Sequence, residues 1–317
     1  MTKINKEDCK IMFMGTPEFA VPVLESLLNN KLNIVSVVTQ KDKKVGRKQD
    51  ITPPPIKNIA NKNNLKIFQP ENLKNNSWNN YLNKINPDII IVCAFGFILP
   101  AETLNYPQYG CVNVHASLLP KYRGSSPIQE AIKNGELKTG ITIMKMDAGV
   151  DTGDIISQAE IEITTTDDFI SLSKKLSETG AKELVNVLPN YIEGKIELQK
   201  QDEKEATLTK KLEKADGLID WTKSADKIYQ QIKAYQIFPK SFTYFENKKL
   251  EIIEVKASNI SNLEAGQIKV QNSQIVIGCN NGQLVAYKLK LEGKKEMNST
   301  EFINGFLKNK ILNLTNG

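Results

Sequence analysis

The sequence has a single histidine and four scattered cysteines. The cysteines form no CxxC pair and show no spacing typical of metal ligands, so neither a structural zinc site nor a metal-dependent reaction is indicated. Thiols without a disulfide pattern are typical of a reducing cytoplasm, which is the predicted compartment. The most apolar run, residues 89–100, is shorter than the roughly 20 residues that a transmembrane helix needs, so no membrane partner is expected.

The GxGxxG motif of dinucleotide-binding enzymes is also missing. A buried strand is predicted at 10–15, but the turn after it reads Gly-Thr-Pro-Glu-Phe, which disfavours a dehydrogenase. Strands and helices nevertheless alternate through the first part of the chain. This alternation predicts an α/β fold, a Rossmann-like and mostly parallel twisted sheet with helices on both faces.

The pattern changes after the charged segment 194–209, which predicts a linker and two domains, 1–206 and 207–317. The second domain is expected to hold a helix at 221–235, an Asn-Asn-Gly hairpin turn at 280–282 and a closing helix at 301–312. Its predicted strands are 242–245, 250–255, 267–270, 274–278 and 284–291. Five short strands predict a small OB-like β-barrel, a fold that often binds nucleic acids.

The net charge of +6 is carried by this C-terminal part, where 17 lysines stand against 11 acidic residues from Ala206 onward. A basic domain on a neutral body favours a polyanionic partner, although a lysine-rich solvated surface would have the same composition. A second basic stretch, 41–48, has no periodicity and is expected to be an exposed, mobile loop. Its side chains that could clamp phosphates are Lys43, Lys44, Arg47 and Lys48.

Candidate catalytic residues surround the only histidine, His115. Asn113 precedes it by two positions in a predicted strand, so both side chains should point to the same side. Asp151 follows in the polar loop 147–154, and a carboxylate beside an imidazole fixes its tautomer. An amide can donate to an oxyanion, and no serine or cysteine nucleophile stands in a recognisable motif. The residues therefore favour direct acyl transfer without a covalent enzyme intermediate.

Each of these residues also has a purely structural explanation. A lone histidine in an apolar strand is often a buried residue whose hydrogen bonds are satisfied. An acid-rich loop with glycines can be a structural turn, and the spacing of its acids does not fit an EF-hand.

Four motifs, in the same order along the chain, resemble the folate-dependent formyltransferases. They are Gly-Thr-Pro-Glu-Phe-Ala at 15–20, Asn-Val-His-Ala-Ser-Leu-Leu-Pro with Lys-Tyr-Arg-Gly at 113–124, Gly-Ile-Thr-Ile-Met-Lys-Met-Asp at 140–147 and Ala-Gly-Val-Asp-Thr-Gly-Asp at 148–154. The resemblance covers nearly the whole chain and is highly specific for the family. It is less specific for the acceptor, because relatives with the same Asn-x-His and Asp core act on glycinamide ribonucleotide, an amino-sugar nucleotide or water.

The resemblance is strongest to the branch that formylates initiator methionyl-tRNA for translation initiation. It implies 10-formyltetrahydrofolate as the formyl donor, catalytic roles for Asn113, His115 and Asp151, no metal, and a monomer. It also implies that the basic loop meets the tRNA acceptor stem, where Arg47 matches the arginine of the family. The folate contacts that it implies are Ser117, Leu118, Leu119 and Pro120, and Phe95, Gly96, Phe97 and Ile98.

Two other functions stay open on the sequence. A UDP-amino sugar could be the acceptor instead of tRNA, and the two acceptors can be separated by offering each with the same folate. A catalytically silent RNA-binding protein with an OB module would bind no folate. Against glycinamide ribonucleotide as the acceptor, Ala116 follows the histidine where that branch of the family typically has proline.

Overall fold

The computed structural model describes residues 9–46, 49–307 and 312–315. Its strands are β1 Ile11–Gly15, β2 Ile34–Val38, β3 Lys43–Val45, β4 Asp50–Thr52, β5 Ile67–Phe68, β6 Ile89–Cys93, β7 Cys111–His115, β8 Arg123–Gly124, β9 Lys138–Lys145, β10 Ile155–Glu162, β11 Leu208–Thr209, β12 Phe242–Phe245, β13 Lys248–Ser258, β14 Gln267–Gln271, β15 Gln274–Gly278, β16 Gln283–Leu291, β17 Met297–Asn298 and β18 Leu312–Asn313. Its α-helices are α1 Val21–Asn29, α2 Pro55–Lys62, α3 Asn76–Ile85, α4 Ala101–Leu104, α5 Pro127–Asn134, α6 Phe169–Ile192, α7 Ala225–Ala234 and α8 Ser299–Phe302. Within this described part, no helix has the length and apolar character needed to cross a membrane.

The described chain forms two compact units. The first holds the described residues up to Gly124 together with Lys138–Glu162 and Ser173–Thr209. The second holds Ser125–Leu137, Ile163–Leu172 and the described residues from Lys210 onward.

The first unit is built on a seven-stranded sheet with the strand order β10-β9-β7-β6-β1-β2-β5. The five strands from β7 to β5 are parallel, while at one edge β9 pairs antiparallel with β7 and β10 pairs antiparallel with β9. Strands β1 and β6 are buried at every position, as expected for apolar strands that are covered on both faces. The predicted mostly parallel α/β sheet is confirmed.

Helices cover both faces of this sheet. On the face of Cys111, the core includes Trp78 of α3, whose indole N–H donates to Thr103 Oγ1 over 2.8 Å. On the opposite face, α6 comes so close to the sheet that a Cβ atom on Gly180 would lie 2.7 Å from the side chain of Val114. Each large apolar side chain buried in this way contributes about 1.5–3 kcal/mol to the stability of the packing around β7.

Within the stretch that was predicted to be an exposed, mobile loop, residues 43–45 form a short strand. Strand β3 pairs with β4 as a short antiparallel ribbon. Gly46 and Gln49 both adopt positive φ angles, 73° and 55°, and the Gln49 N–H donates to the Gly46 carbonyl over 3.3 Å. This strand was not predicted because a lysine-rich strand of three residues shows no apolar alternation. Arg47 and Lys48 lie outside the described residues.

The second unit contains a seven-stranded antiparallel sheet with the order β12-β13-β16-β15-β14-β18, and β17 pairs with β16. All five predicted strands are present, and Gly282, with a φ of 84°, lies in the predicted hairpin turn between β15 and β16. The Ser224 side chain caps α7, which buries Ile228 and Ile232 in the core of this unit. The predicted second β fold is thus confirmed as a curled antiparallel sheet.

The predicted closing helix at 301–312 was wrong at both ends. Asn298 and Glu301 form a capping box, with hydrogen bonds of 3.0 and 2.8 Å, so α8 begins earlier. A π-helical turn, Ile303–Leu307, follows α8. Leu312 then pairs with Ile268 of β14 rather than ending a helix, because the edge of the sheet offers it backbone partners.

The charged segment 194–209 is part of the first compact unit. Its end forms β11, which pairs in parallel with β8, and Gln199 exchanges backbone hydrogen bonds of 2.7 and 2.9 Å with Ile155. The domain boundary between residues 206 and 207 stays a prediction. The segment was read as a linker because its polar composition does not show which main-chain groups it will bind.

Candidate active site

Strand β7 carries the two side chains that were expected to act together. Asn113 lies opposite Val92 of β6, and His115 lies opposite Thr142 of β9. His115 is 6% exposed and Asn113 is half-buried, and both approach the carboxylate of Asp151. The period of the strand therefore brings the amide and the imidazole to one side, as predicted.

Asp151 reaches these side chains from the loop between β9 and β10. Its Oδ1 accepts from Asn113 Nδ2 over 3.4 Å, and its Oδ2 accepts from the Gly124 N–H over 2.8 Å. The same Oδ2 lies 3.6 Å from Nδ1 of His115. The carboxylate, whose side chain is 13% exposed, is thus surrounded by three nitrogen atoms and is shielded from most of the solvent.

The loop that carries Asp151 is held in a tight conformation. Asp151 itself has a φ of 53°, in the left-handed region that few non-glycine residues adopt. Asp147 accepts a hydrogen bond of 2.6 Å from the Thr152 hydroxyl. A Cβ atom on Gly153 would lie 1.8 Å from the carbonyl oxygen of Lys145, so only glycine fits there. Among the residues that the structure describes, no group of three or more His, Cys, Asp or Glu side chains is arranged to hold a metal ion.

Both ring nitrogens of His115 face oxygen atoms. Nε2 lies 3.0 Å from the carbonyl oxygen of Tyr122, and Nδ1 faces the Asp151 carboxylate. A carbonyl oxygen can only accept, so Nε2 carries a proton in this arrangement. Nδ1 lies 3.6 Å from the carboxylate, which is therefore placed to orient the ring.

Three consecutive residues, Tyr122, Arg123 and Gly124, support the candidate site, and no individual role was predicted for them. The Tyr122 carbonyl faces the imidazole, and the Gly124 N–H binds the carboxylate. The guanidinium of Arg123, 3% exposed, binds Glu203 in a bidentate pair of 2.7 and 2.9 Å, and this hydrogen bonding raises the pKa of Arg123 and lowers the pKa of Glu203. Its Nε also donates to Gln201 over 2.9 Å. The Lys-Tyr-Arg-Gly motif at 121–124 pointed to these three residues, whereas nothing in the sequence pointed to Gln201.

The segment of Phe95, Gly96, Phe97 and Ile98 follows β6, which ends at Cys93. The strand stops because the chain turns at the next residue, which has a φ of 47°. The Phe95 carbonyl accepts from the Thr16 hydroxyl over 2.9 Å and from the Gln40 amide over 3.0 Å, which ties the segment to the turn after β1. Phe95 is buried, while Ile98 is 83% exposed and is available to a ligand.

The segment of Ser117, Leu118, Leu119 and Pro120 is held by Thr142 from β9. The Thr142 hydroxyl donates to the Ser117 carbonyl over 2.7 Å and accepts from the Leu119 N–H over 3.0 Å. Ser117 is fully buried and Leu119 is 3% exposed, so these side chains support the loop from inside. Leu118 and Pro120 are half-buried, and the Leu118 side chain packs so closely on Gly140 of β9 that a Cβ atom there would lie 2.5 Å from it.

Lys43 and Lys44 lie on the exposed ribbon strand β3. The Lys43 ammonium donates to Gln40 Oε1 over 2.6 Å. Nearby, Lys41 pairs with Glu71 at 2.6 Å, so part of the charge of this stretch is already balanced. The structure places the two lysines on the same unit as the candidate site, and it leaves Arg47 and Lys48 outside the described residues.

Two family models together match most of the chain. The model "Formyl transferase" matches residues 9–188, and the model "Formyl transferase, C-terminal domain" matches residues 211–307. The chain belongs to the formyl transferase family. This family assignment confirms the prediction that the chain is a one-carbon transferase.

Curated relatives of this formyl transferase extend over nearly its full length. It is 47% identical over 302 residues to the methionyl-tRNA formyltransferase of Caldicellulosiruptor saccharolyticus, with 93% of this chain and 96% of the relative covered. It is 41% identical over 301 residues to the methionyl-tRNA formyltransferase of a Sulfurihydrogenibium species, with 94% and 97% covered.

Solved structures share its fold. One is the methionyl-tRNA formyltransferase from Clostridium thermocellum, with a TM-score of 0.56 and 20% identity over 89% of this chain and 98% of that one. Another is WlaRD, a sugar 3N-formyl transferase solved in the presence of dTDP and 5-N-formyl-THF, with a TM-score of 0.65 and 22% identity over 90% of this chain and 99% of that one. At these identities the likeness concerns the fold alone.

Proposed function

We propose that this formyl transferase moves the formyl group of 10-formyltetrahydrofolate to the α-amino group of methionine on initiator tRNA. The observation that carries the proposal is the 47% identity, over 93% of the chain, to a relative named for this reaction. The convergence of Asn113, His115 and Asp151 supplies the chemistry that such a transfer needs.

The first step is attack of the amine nitrogen on the formyl carbon. The N–C bond forms, and the carbonyl electron pair moves to the formyl oxygen. Asn113 Nδ2 and the protonated imidazole of His115 donate hydrogen bonds to this oxyanion. The formyl oxygen takes the place of the Tyr122 carbonyl, which lies 3.0 Å from Nε2, as the hydrogen-bond acceptor of the Nε2 N–H.

Asp151 has two tasks in this proposal. Its carboxylate orients His115 from 3.6 Å and stabilises the charge on the ring. It also assists removal of the proton that the attacking amine must lose. The tetrahedral intermediate then collapses, the bond from carbon to N10 of the folate breaks, and N10 takes its electron pair and a proton. The formyl carbonyl is restored on the new amide, and no metal ion takes part.

The folate is proposed to lie against two segments. Ile98, with Gly96 and Phe97, packs near the pterin, while Phe95 fixes the segment through its carbonyl. The loop of Ser117, Leu118, Leu119 and Pro120 provides the other wall, with Leu118 and Pro120 as its half-buried side chains. The presence of 5-N-formyl-THF in the WlaRD structure supports a reduced folate as the donor.

The tRNA is proposed to meet the ribbon of β3 and β4 and the basic second unit. Lys43, Lys44, Arg47 and Lys48 would neutralise acceptor-stem phosphates, since affinity for nucleic acid depends mainly on phosphate contacts. The positive charge from Ala206 onward, 17 lysines against 11 acidic residues, supports a polyanionic partner for the C-terminal part.

The test is a transfer assay with labelled 10-formyltetrahydrofolate and three acceptors: charged initiator tRNA, charged elongator methionyl-tRNA and a UDP-amino sugar. The proposal expects label on methionine of initiator tRNA, with much less on the elongator. Label on the sugar and none on either tRNA would refute it. Equal labelling of both tRNAs would retain the reaction but reject the initiator specificity.

A further inference from the structure

Gln201 makes an unusual set of contacts behind the Asp151 carboxylate. Its single amide nitrogen, Nε2, donates to the backbone carbonyl of Asp151 over 2.8 Å and to that of Gly153 over 2.7 Å. Both N–H groups of the amide are therefore used on the loop that carries the proposed catalytic acid. Its Oε1 accepts from Arg123 Nε over 2.9 Å.

These contacts define one orientation of the amide. If the Gln201 amide rotated by half a turn, Oε1 would face two carbonyl oxygens and Nε2 would face the Arg123 N–H, so all three hydrogen bonds would be lost. Arg123 is buried and is fixed in turn by its bidentate pair with Glu203, at 2.7 and 2.9 Å. Glu203 thus fixes the position of Arg123, Arg123 fixes Gln201, and Gln201 fixes the backbone of the loop that carries Asp151.

The loop needs this support because its conformation is costly. Asp151 has a φ of 53°, which a non-glycine residue adopts only when its surroundings compensate for the strain. The two carbonyls that Gln201 binds flank the turn that aims the Asp151 side chain at His115. A neighbouring apolar side chain could not replace a donor at this position, since the carbonyls would be left without a partner.

We infer that Gln201 is a positioning residue, which acts through Asp151 by holding the catalytic loop in the geometry that formyl transfer requires. The inference rests on the proposed function and deepens it, because it assigns Gln201 a role through Asp151 rather than a contact with the folate or the acceptor. Displacement of a catalytic group by about 1 Å can cost about 10²-fold in rate, so kcat should fall by that order in Gln201→Ala while KM for 10-formyltetrahydrofolate changes little.

The test is a double-mutant cycle of Gln201→Ala with Asp151→Asn, measured as kcat of formyl transfer to methionyl-tRNA. If Gln201 acts through Asp151, the double variant should be within about threefold of Asp151→Asn alone, because residues that act as one unit are not additive. Gln199→Ala, an exposed residue two positions away, is the matched control and should keep kcat. Glu203→Gln removes the charge at the solvent-exposed end of the network but keeps an acceptor oxygen for Arg123, so it should reduce kcat by about two- to fivefold.

The outcomes separate this inference from the function on which it rests. The positioning role would be overturned by an unchanged kcat in Gln201→Ala. It would also be overturned if the loss of kcat in the double variant equals the product of the two single losses, even if Asp151→Asn is inactive. Full activity of Asp151→Asn would instead refute the proposed catalytic acid. If Gln201→Ala does not fold, the result for Glu203→Gln decides: unchanged kcat there argues against the network.

Discussion

The backbone N–H of Gly124 donates to Oδ2 of Asp151 over 2.8 Å, and this short contact joins two segments that are distant in sequence. Gly124 has a φ of 110°, and a Cβ atom there would lie 2.4 Å from the Thr209 carbonyl oxygen. Glycine is therefore needed both for the backbone conformation and for the close approach of β11 to β8. The proposed catalytic acid thus depends on main-chain geometry as much as on neighbouring side chains.

The first prediction concerns the carboxylate itself. Asp151→Asn keeps the shape of the side chain but removes the charge that faces Gly124, Asn113 and His115. We expect kcat for formyl transfer to fall by about 10²–10⁴, the usual cost of losing a positioned acid–base group. His115→Ala should fall within the same range. Transfer of labelled formyl groups to methionyl-tRNA measures both, and circular dichroism checks that the fold is kept.

The control for these variants is Asp226→Asn, which makes the same chemical change at an exposed position in the second unit. It should transfer formyl groups at the rate of the unmodified chain. Turnover by Asp151→Asn or His115→Ala close to that of the control would contradict the catalytic roles.

The sequence made part of this site predictable. Asn113 and His115 share one strand, so the period of β structure is enough to put their side chains on the same side. Asp151 could be associated with them only by its motif, since spacing alone does not show that the loop folds back onto β7. The three side chains are brought together by the tertiary structure, through the pairing of β7 with β9 and the turn at Gly153.

Other parts of the molecule were not predictable, for physical reasons. The Tyr122 carbonyl and the Gly124 N–H are main-chain groups, which every residue carries, so no residue type announces their role. Gln201 lies in a polar segment whose composition is typical of solvated linkers, and its importance comes from the buried guanidinium of Arg123 beside it. The ribbon of β3 and β4 was missed because three residues are too few for a periodic pattern.

The second prediction concerns the loop backbone. In Gly153→Ala the new methyl group would lie 1.8 Å from the Lys145 carbonyl, so the loop must move and Asp151 with it. We expect a loss of about 10²-fold in kcat and a decrease of about 1–3 kcal/mol in the free energy of unfolding. Urea unfolding and the transfer assay measure the two effects. Gly305→Ala is the control, because a Cβ atom there meets nothing within 4 Å. Equal behaviour of the two variants would show that the Gly153 contact is not limiting.

The third prediction concerns the proposed folate wall. Ile98 is 83% exposed, so Ile98→Ala should leave the free energy of unfolding nearly unchanged. If its side chain packs on the pterin, the variant should raise KM for 10-formyltetrahydrofolate by about 10-fold, the effect of losing about 1.4 kcal/mol of contact. Ile260→Ala, at a residue that is 77% exposed in the second unit, is the matched control and should leave KM unaltered. An unaltered KM in Ile98→Ala would remove this residue from the folate site.

The fourth prediction concerns the ribbon and tRNA. Lys44 is exposed on β3, so its ammonium is available to a phosphate. We expect Lys44→Ala to weaken binding of methionyl-tRNA and to reduce the slope of log affinity against log salt by about 0.7–0.9, because one fewer counterion is released for each lost phosphate contact. Lys62→Ala removes an equally exposed lysine at the end of α2 and serves as the control for net charge. The decisive comparison is between the two slopes, measured by filter binding over a range of salt concentrations. If both variants change the slope equally, the ribbon contributes only to the general electrostatic field of the protein. A change confined to Lys44→Ala indicates a local phosphate contact, since general charge effects do not depend on which exposed lysine is lost.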